Sequence, residues 1–79
     1  MPTDDEVVET AAEAAQGFVF SKLRRSDIDD LDVTVTFEEG TLTVDVYVFA
    51  PDVEADLERI ADDAALVARE AVDDLLEGS

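Results

Sequence analysis

The chain has 79 residues, with 22 acidic and 5 basic side chains, a formal net charge of −17, and neither cysteine nor histidine. That length allows one domain with a small core; the missing residue types exclude a disulfide framework, thiolate metal sites and the commonest general base. No apolar run approaches the roughly 20 residues that span a bilayer, and Met1-Pro2-Thr3-Asp4-Asp5 is acidic where a signal peptide is basic, so a soluble, cytoplasmic protein is expected.

Such a charge normally favours disorder, yet 47% of the residues are hydrophobic and regularly spaced. A folded core beneath an acidic shell reconciles the two. Adaptation to molar salt explains the shell, because the Debye length there falls to about 3 Å and self-repulsion is screened. A single lysine, Lys22, abundant aspartate and a supply of alanine and valine fit a halophilic protein with solvent cations as counterions. Mimicry of nucleic acid competes with this explanation, but it requires carboxylates along one track, and here they are spread over every polar face.

In chain order, Thr3 followed by Glu6 forms a capping-box pattern, and Asp4, Asp5 and Glu6 suit the positive end of a helix dipole. The spacing predicts a helix over about 3–21 with Val7, Ala11, Ala14, Ala15 and Phe18 on one stripe, and Val8 and Val19 at its margin. Gly17 weakens it near its end. Phe20 falls on the far side of that stripe: it either lies beyond the helix and folds back onto the core, or is a surface aromatic for a partner.

Lys22, Arg24 and Arg25 are the basic cluster of the chain. At a helix C-terminus cations complement the dipole, and the aspartates that follow are expected to pair with them. A phosphate or RNA contact is the alternative; the surrounding negative field and the lack of interleaved aromatics disfavour nucleic acid. The acidic run Ser26-Asp27-Ile28-Asp29-Asp30-Leu31-Asp32 is similar to a calcium loop, but Asp32 stands where the sixth-position glycine belongs, so a solvated connector is expected and no dedicated metal or cofactor site.

Leu31, Val33, Val35 and Phe37 alternate with polar residues, as do Leu42, Val44, Val46 and Val48, which predicts strands over about 31–38 and 41–50. If Glu39-Gly40 is a two-residue turn, Phe37 faces Leu42, Val35 faces Val44, Val33 faces Val46 and Leu31 faces Val48, so every apolar residue meets another. An odd loop would turn one strand's apolar set to the wrong face. A four-residue loop over 38–41 keeps the same register, and glutamate fits poorly where positive φ is needed.

Ala50-Pro51-Asp52 ends the strand pattern, with Pro51 or Asp52 expected to open a second helix over about 52–76. Its stripe is Val53, Leu57, Ile60, Ala61, Ala64, Val67, Ala68, Ala71 and Leu75; Gly78 is placed to stop it, Arg59 and Arg69 can pair with acidic neighbours one turn away, and Leu66 lies off the stripe, exposed.

These elements predict one α+β domain over 1–79: an antiparallel β-hairpin with two helices packed on one face, in the order α-β-β-α. Burying eight strand side chains at about 1.5–3 kcal/mol each gives it a core. The opposite face carries Thr34, Thr36, Thr43 and Asp45, with Tyr47 and Phe49 at one end. A two-stranded sheet with both edges open is marginal and invites pairing, so a homodimer with a four-stranded sheet, or another protein partner, is expected. Phe20, Tyr47, Phe49 and Leu66 are the candidate interface, expected to cluster as one exposed patch; Lys22, Arg24 and Arg25 are the candidate nucleic-acid contact. No Gly-rich phosphate loop, nucleophile–base pair or argued carboxylate pair is present, and an enzyme is not expected.

Phe18-Val19-Phe20-Ser21-Lys22, then Asp30-Leu31-Asp32-Val33-Thr34-Val35, then the alanine-rich second helix resemble a family of short archaeal proteins of unknown function, over nearly the whole chain and in a haloarchaeal version. The resemblance implies no catalytic residue, because the family has no assigned activity. Its members are often encoded near a prefoldin β subunit and other information-processing genes, which implies at most an accessory role around translation, transcription or chaperoning.

If the acidic shell is a salt adaptation, KCl should raise the unfolding temperature steadily between about 0.1 and 1 M, as the Debye length contracts from about 10 to about 3 Å. Circular dichroism melts check this; a flat response would assign the acidity another cause.

Overall fold

The computed structural model describes residues 2–78. Helix α1 (Asp4–Lys22) leads through a 3₁₀ turn (Arg25–Asp27) into β1 (Asp30–Glu38) and β2 (Thr41–Phe49), and α2 (Leu57–Glu77) closes the domain. The α-β-β-α order is the one expected. No helix among the described residues is long and apolar enough to cross a membrane.

The two strands form one antiparallel sheet, with Phe37 opposite Leu42, Val35 opposite Val44, Val33 opposite Val46 and Leu31 opposite Val48. Between them lies the two-residue turn, Glu39 at φ 50° and Gly40 at φ 78°. Both residues therefore adopt the left-handed conformation of a type I′ turn, whose twist suits the flanking strands. Glycine accepts this freely, whereas glutamate is held there against its preference. All eight apolar side chains point to one face, and each strand alternates between exposed and covered positions along its length.

That face is roofed by both helices, α1 over β1 and α2 over β2, and the helices also pack on each other. The positions they bury are small: Val7, Ala11, Ala15 and Val19 on α1, Ala64, Ala68 and Val72 on α2. From the sheet, Val44 and Val48 are buried, while their partners on β1 are half-buried. Among the described residues no polar or charged residue is buried, so the interior is held by apolar contact alone.

Both helices are turned relative to the expected stripes. On α1, Val19 is fully buried while Ala14 and Phe18 are half-buried; on α2, Val72, absent from the expected stripe, is 2% exposed. Each helix contacts the sheet below and the other helix beside it, so its buried arc shifts toward that neighbour. Leu23 and Ala50, just beyond α1 and β2, complete the core.

The Thr3 hydroxyl accepts the Glu6 N–H at 3.1 Å, capping α1 as expected. Helix α2 begins at Leu57, six residues after Pro51 and five after Asp52, the expected openings. Pro51 and Asp52 form a turn, the Val53 N–H donates to the Ala50 carbonyl at 3.2 Å, and Asp56 is the cap, its Oδ1 accepting the Arg59 N–H at 3.2 Å. The chain needs this connection to climb from the sheet to the helix layer and reverse direction. Val53 packs against the core from the connection and not from the helix.

Because Ala15 and Ala64 are fully buried in the core, added volume there has no space to enter. Ala15→Leu and Ala64→Leu should each destabilise the fold by about 1–3 kcal/mol, as read by urea denaturation in molar KCl.

Candidate protein-interaction surface

With both helices on one side, the other face of the hairpin is uncovered. Cross-strand pairs on it are Asp30 with Phe49, Asp32 with Tyr47, Thr34 with Asp45, Thr36 with Thr43 and Glu38 with Thr41, and all ten residues are exposed. Threonine suits a pleated surface, and the acidic residues suit its exposure to water. Tyr47 and Phe49, 54% and 46% exposed, are the exceptions: two aromatic rings on alternate positions of one strand, each directly across from an aspartate.

The turn also decides which backbone groups are free. In a hairpin with a two-residue turn, the flanking pair Glu38 and Thr41 is hydrogen-bonded, as is every second pair beyond it. The residues between, Leu42, Val44, Val46 and Val48 on β2 and their partners on β1, direct their N–H and C=O groups to the outer edges. Among the described residues neither edge pairs with a further strand. At the base of the hairpin the Asp29 N–H donates to the Phe49 carbonyl at 2.8 Å, tying the start of β1 to the end of β2.

A groove runs beside each edge. Next to β2 it measures about 210 Å³ and is lined by Val46, Tyr47, Val48, Leu57, Glu58 and Ala61. Next to β1 it measures about 450 Å³, with Gln16, Phe20, Arg25, Ile28 and Asp30 in its wall. In the wall of this second groove the Arg25 guanidinium lies over the Phe20 ring, 4.5 Å from its centroid.

Phe20 thus belongs to α1, neither beyond its end nor folded into the core; it is half-buried on the side away from the buried alanines. Lys22 lies 5.4 Å over the Phe18 ring, and Arg24 is exposed just before the 3₁₀ turn. Among the described residues Lys22 and Arg25 meet aromatic rings, and the pairing expected with the following aspartates is not formed. Asp27 is instead taken up in the 3₁₀ turn, donating its N–H to the Arg24 carbonyl. Among the described residues no three acidic groups gather as a metal site would require.

The four candidate interface residues do not form one patch. Tyr47 and Phe49 share the open sheet face, and Phe20 sits at the β1 groove. Leu66, 58% exposed, is two residues from both Ala64 and Ala68, which places it on the side of α2 away from the core. The β2 groove has its signal in the sequence in Leu57 and Ala61, one turn apart on α2, but spacing alone does not bring them beside the β2 valines.

These features define a two-layer α-β-β-α domain whose sheet is covered on one face and open on the other. The chain belongs to the family described as Protein of unknown function (DUF3194), whose model matches residues 3–78. It is 49% identical over 76 residues to an uncharacterized protein of Natronomonas pharaonis, covering 96% of this chain and 90% of that one. Its fold is similar to the solution structure of the hypothetical protein mth677 from Methanothermobacter thermautotrophicus, with TM-score 0.83, 20% identity and coverage of 99% and 92% of the two chains. A crystal structure from Thermococcus onnurineus NA1 is similar at TM-score 0.79 and 31% identity, over 94% of this chain and 76% of the other.

The two exposed rings contribute little to the core. Replacing Tyr47 and Phe49 together by threonine should leave the unfolding free energy within about 0.5 kcal/mol of the parent. Urea denaturation checks this, and a large loss would mean that the rings serve the fold.

Proposed function

We propose that this domain is a non-enzymatic protein-interaction module of a halophilic archaeal cytoplasm, which binds its partner through the open side of the hairpin. The observation that carries this reading is the placement of Tyr47 and Phe49. Two rings about half exposed to water, beside a strand edge with unpaired backbone groups, are a liability unless something covers them. A second copy pairing edge to edge and a different protein are the two forms such a partner takes. The resemblance to proteins encoded beside a prefoldin β subunit directs the search toward the translation, transcription and chaperone machinery.

The alternative is a ribonucleoprotein accessory using Lys22, Arg24 and Arg25. It is the weaker reading because two of those cations already lie over rings of the same chain, and because the net charge of −17 opposes approach of a polyanion.

Affinity capture at native salt with three baits separates the two. Under the interaction reading, the parent and Arg24→Glu/Arg25→Glu retain the same protein, while Tyr47→Thr/Phe49→Thr loses it. Retention of RNA by the parent and its loss with the arginine variant would overturn the reading.

A further inference from the structure

We propose that the β2 edge and the sheet face beside it receive an extended basic segment of a different protein, one that alternates Arg or Lys with aliphatic residues. This rests on the interaction reading and names the chemistry of the partner.

Three observations converge on a cation. The open face carries Asp30, Asp32, Glu38 and Asp45, and no basic residue of the chain lies on either strand. Tyr47 and Phe49 stand directly across from Asp32 and Asp30, so Cβ atoms of ring and carboxylate are about 5 Å apart. A guanidinium laid on either ring would reach the neighbouring carboxylate, combining a cation–π contact with an ion pair. The chain also displays the ring half of this arrangement, with Arg25 over Phe20 and Lys22 over Phe18.

The aliphatic half follows from strand geometry. A segment pairing with the outward N–H and C=O groups of Val44, Val46 and Val48 points successive side chains to opposite faces. One set lies on the rings and carboxylates; the other turns toward the groove, whose walls include Val46, Val48, Leu57 and Ala61.

Charge separates this occupant from the others. A second copy would bring an identical acidic face with no cation of its own to offer. The β1 edge is a poorer site for a basic segment, since its groove is already lined by a cation of the chain, Arg25, which covers the Phe20 ring.

The test is a titration of the full-length, isotopically labelled chain, at the lowest KCl that keeps its circular dichroism spectrum, with a synthetic peptide of about ten residues alternating Arg and Val, long enough to span β2. Amide shifts should concentrate at Val44, Val46 and Val48. Tyr47→Thr/Phe49→Thr and, separately, Asp30→Asn/Asp32→Asn should each weaken binding about tenfold or more. A peptide with Glu in place of Arg should not bind, and one with the same residues in shuffled order should bind at least about tenfold more weakly.

Equal binding of the shuffled peptide would reduce the effect to general charge attraction and overturn the proposal, as would shifts confined to β1 or the helices. Light scattering that finds a dimer, dispersed by Tyr47→Thr/Phe49→Thr, would give the edge to a second copy and equally overturn it. Failure of the peptide alongside capture of a partner through the same rings would sink the basic segment and leave the interaction reading standing.

Discussion

The parity of one turn governs this domain. Because Glu39 and Gly40 form a loop of two residues, the apolar sets of both strands fall in phase and face the same way. A loop one residue longer would split them between two faces, and two helices could not cover both. Coverage of one face by both helices leaves the other to water, and the same parity sends the backbone groups of the core-facing residues to the outer edges. Core, open face and free edges are three results of a single count.

The helices answer the hairpin with small residues. Alanine at positions 11, 15, 64 and 68, all fully buried, lets α1 and α2 touch each other while α1 rests on β1 and α2 on β2. A domain of this size buries a modest fraction of its surface and has little stability to spare. Close packing of small side chains obtains contact from short distance where large side chains would obtain it from area. The hydroxyl of Thr3 and the carboxylate of Asp56 then settle where each helix begins.

The register of the hairpin was legible in the sequence because period-two alternation on both sides of a lone glycine leaves few pairings to choose from; the turn itself was not, since loops of two and four residues keep the same register and Glu39 takes a positive φ against its preference. The start of α2 was not, since Asp52 and Asp56 both offer a capping side chain, and only the geometry of climbing from sheet to helix layer selects the later one. Val19 and Val72 were misplaced for a related reason. Periodicity shows that a helix has an apolar side but not how far a second helix rotates it. Of the surface, Tyr47, Phe49 and Leu66 were legible as exposed one by one. That they do not form one patch was not, because spacing within an element says nothing about layers. Nor did the sequence foretell that Lys22 and Arg25 would choose phenylalanine over aspartate.

An interior without a single buried polar residue among the described ones has no hydrogen-bond partner that must be inherited together with another. Any aliphatic residue of suitable volume serves at most of its positions, so descendants of this fold are free to exchange their core chemistry piecemeal and still close the same two layers. The face turned away from the helices is under no such architectural duty, and lineages sharing this scaffold can present quite different surfaces on it.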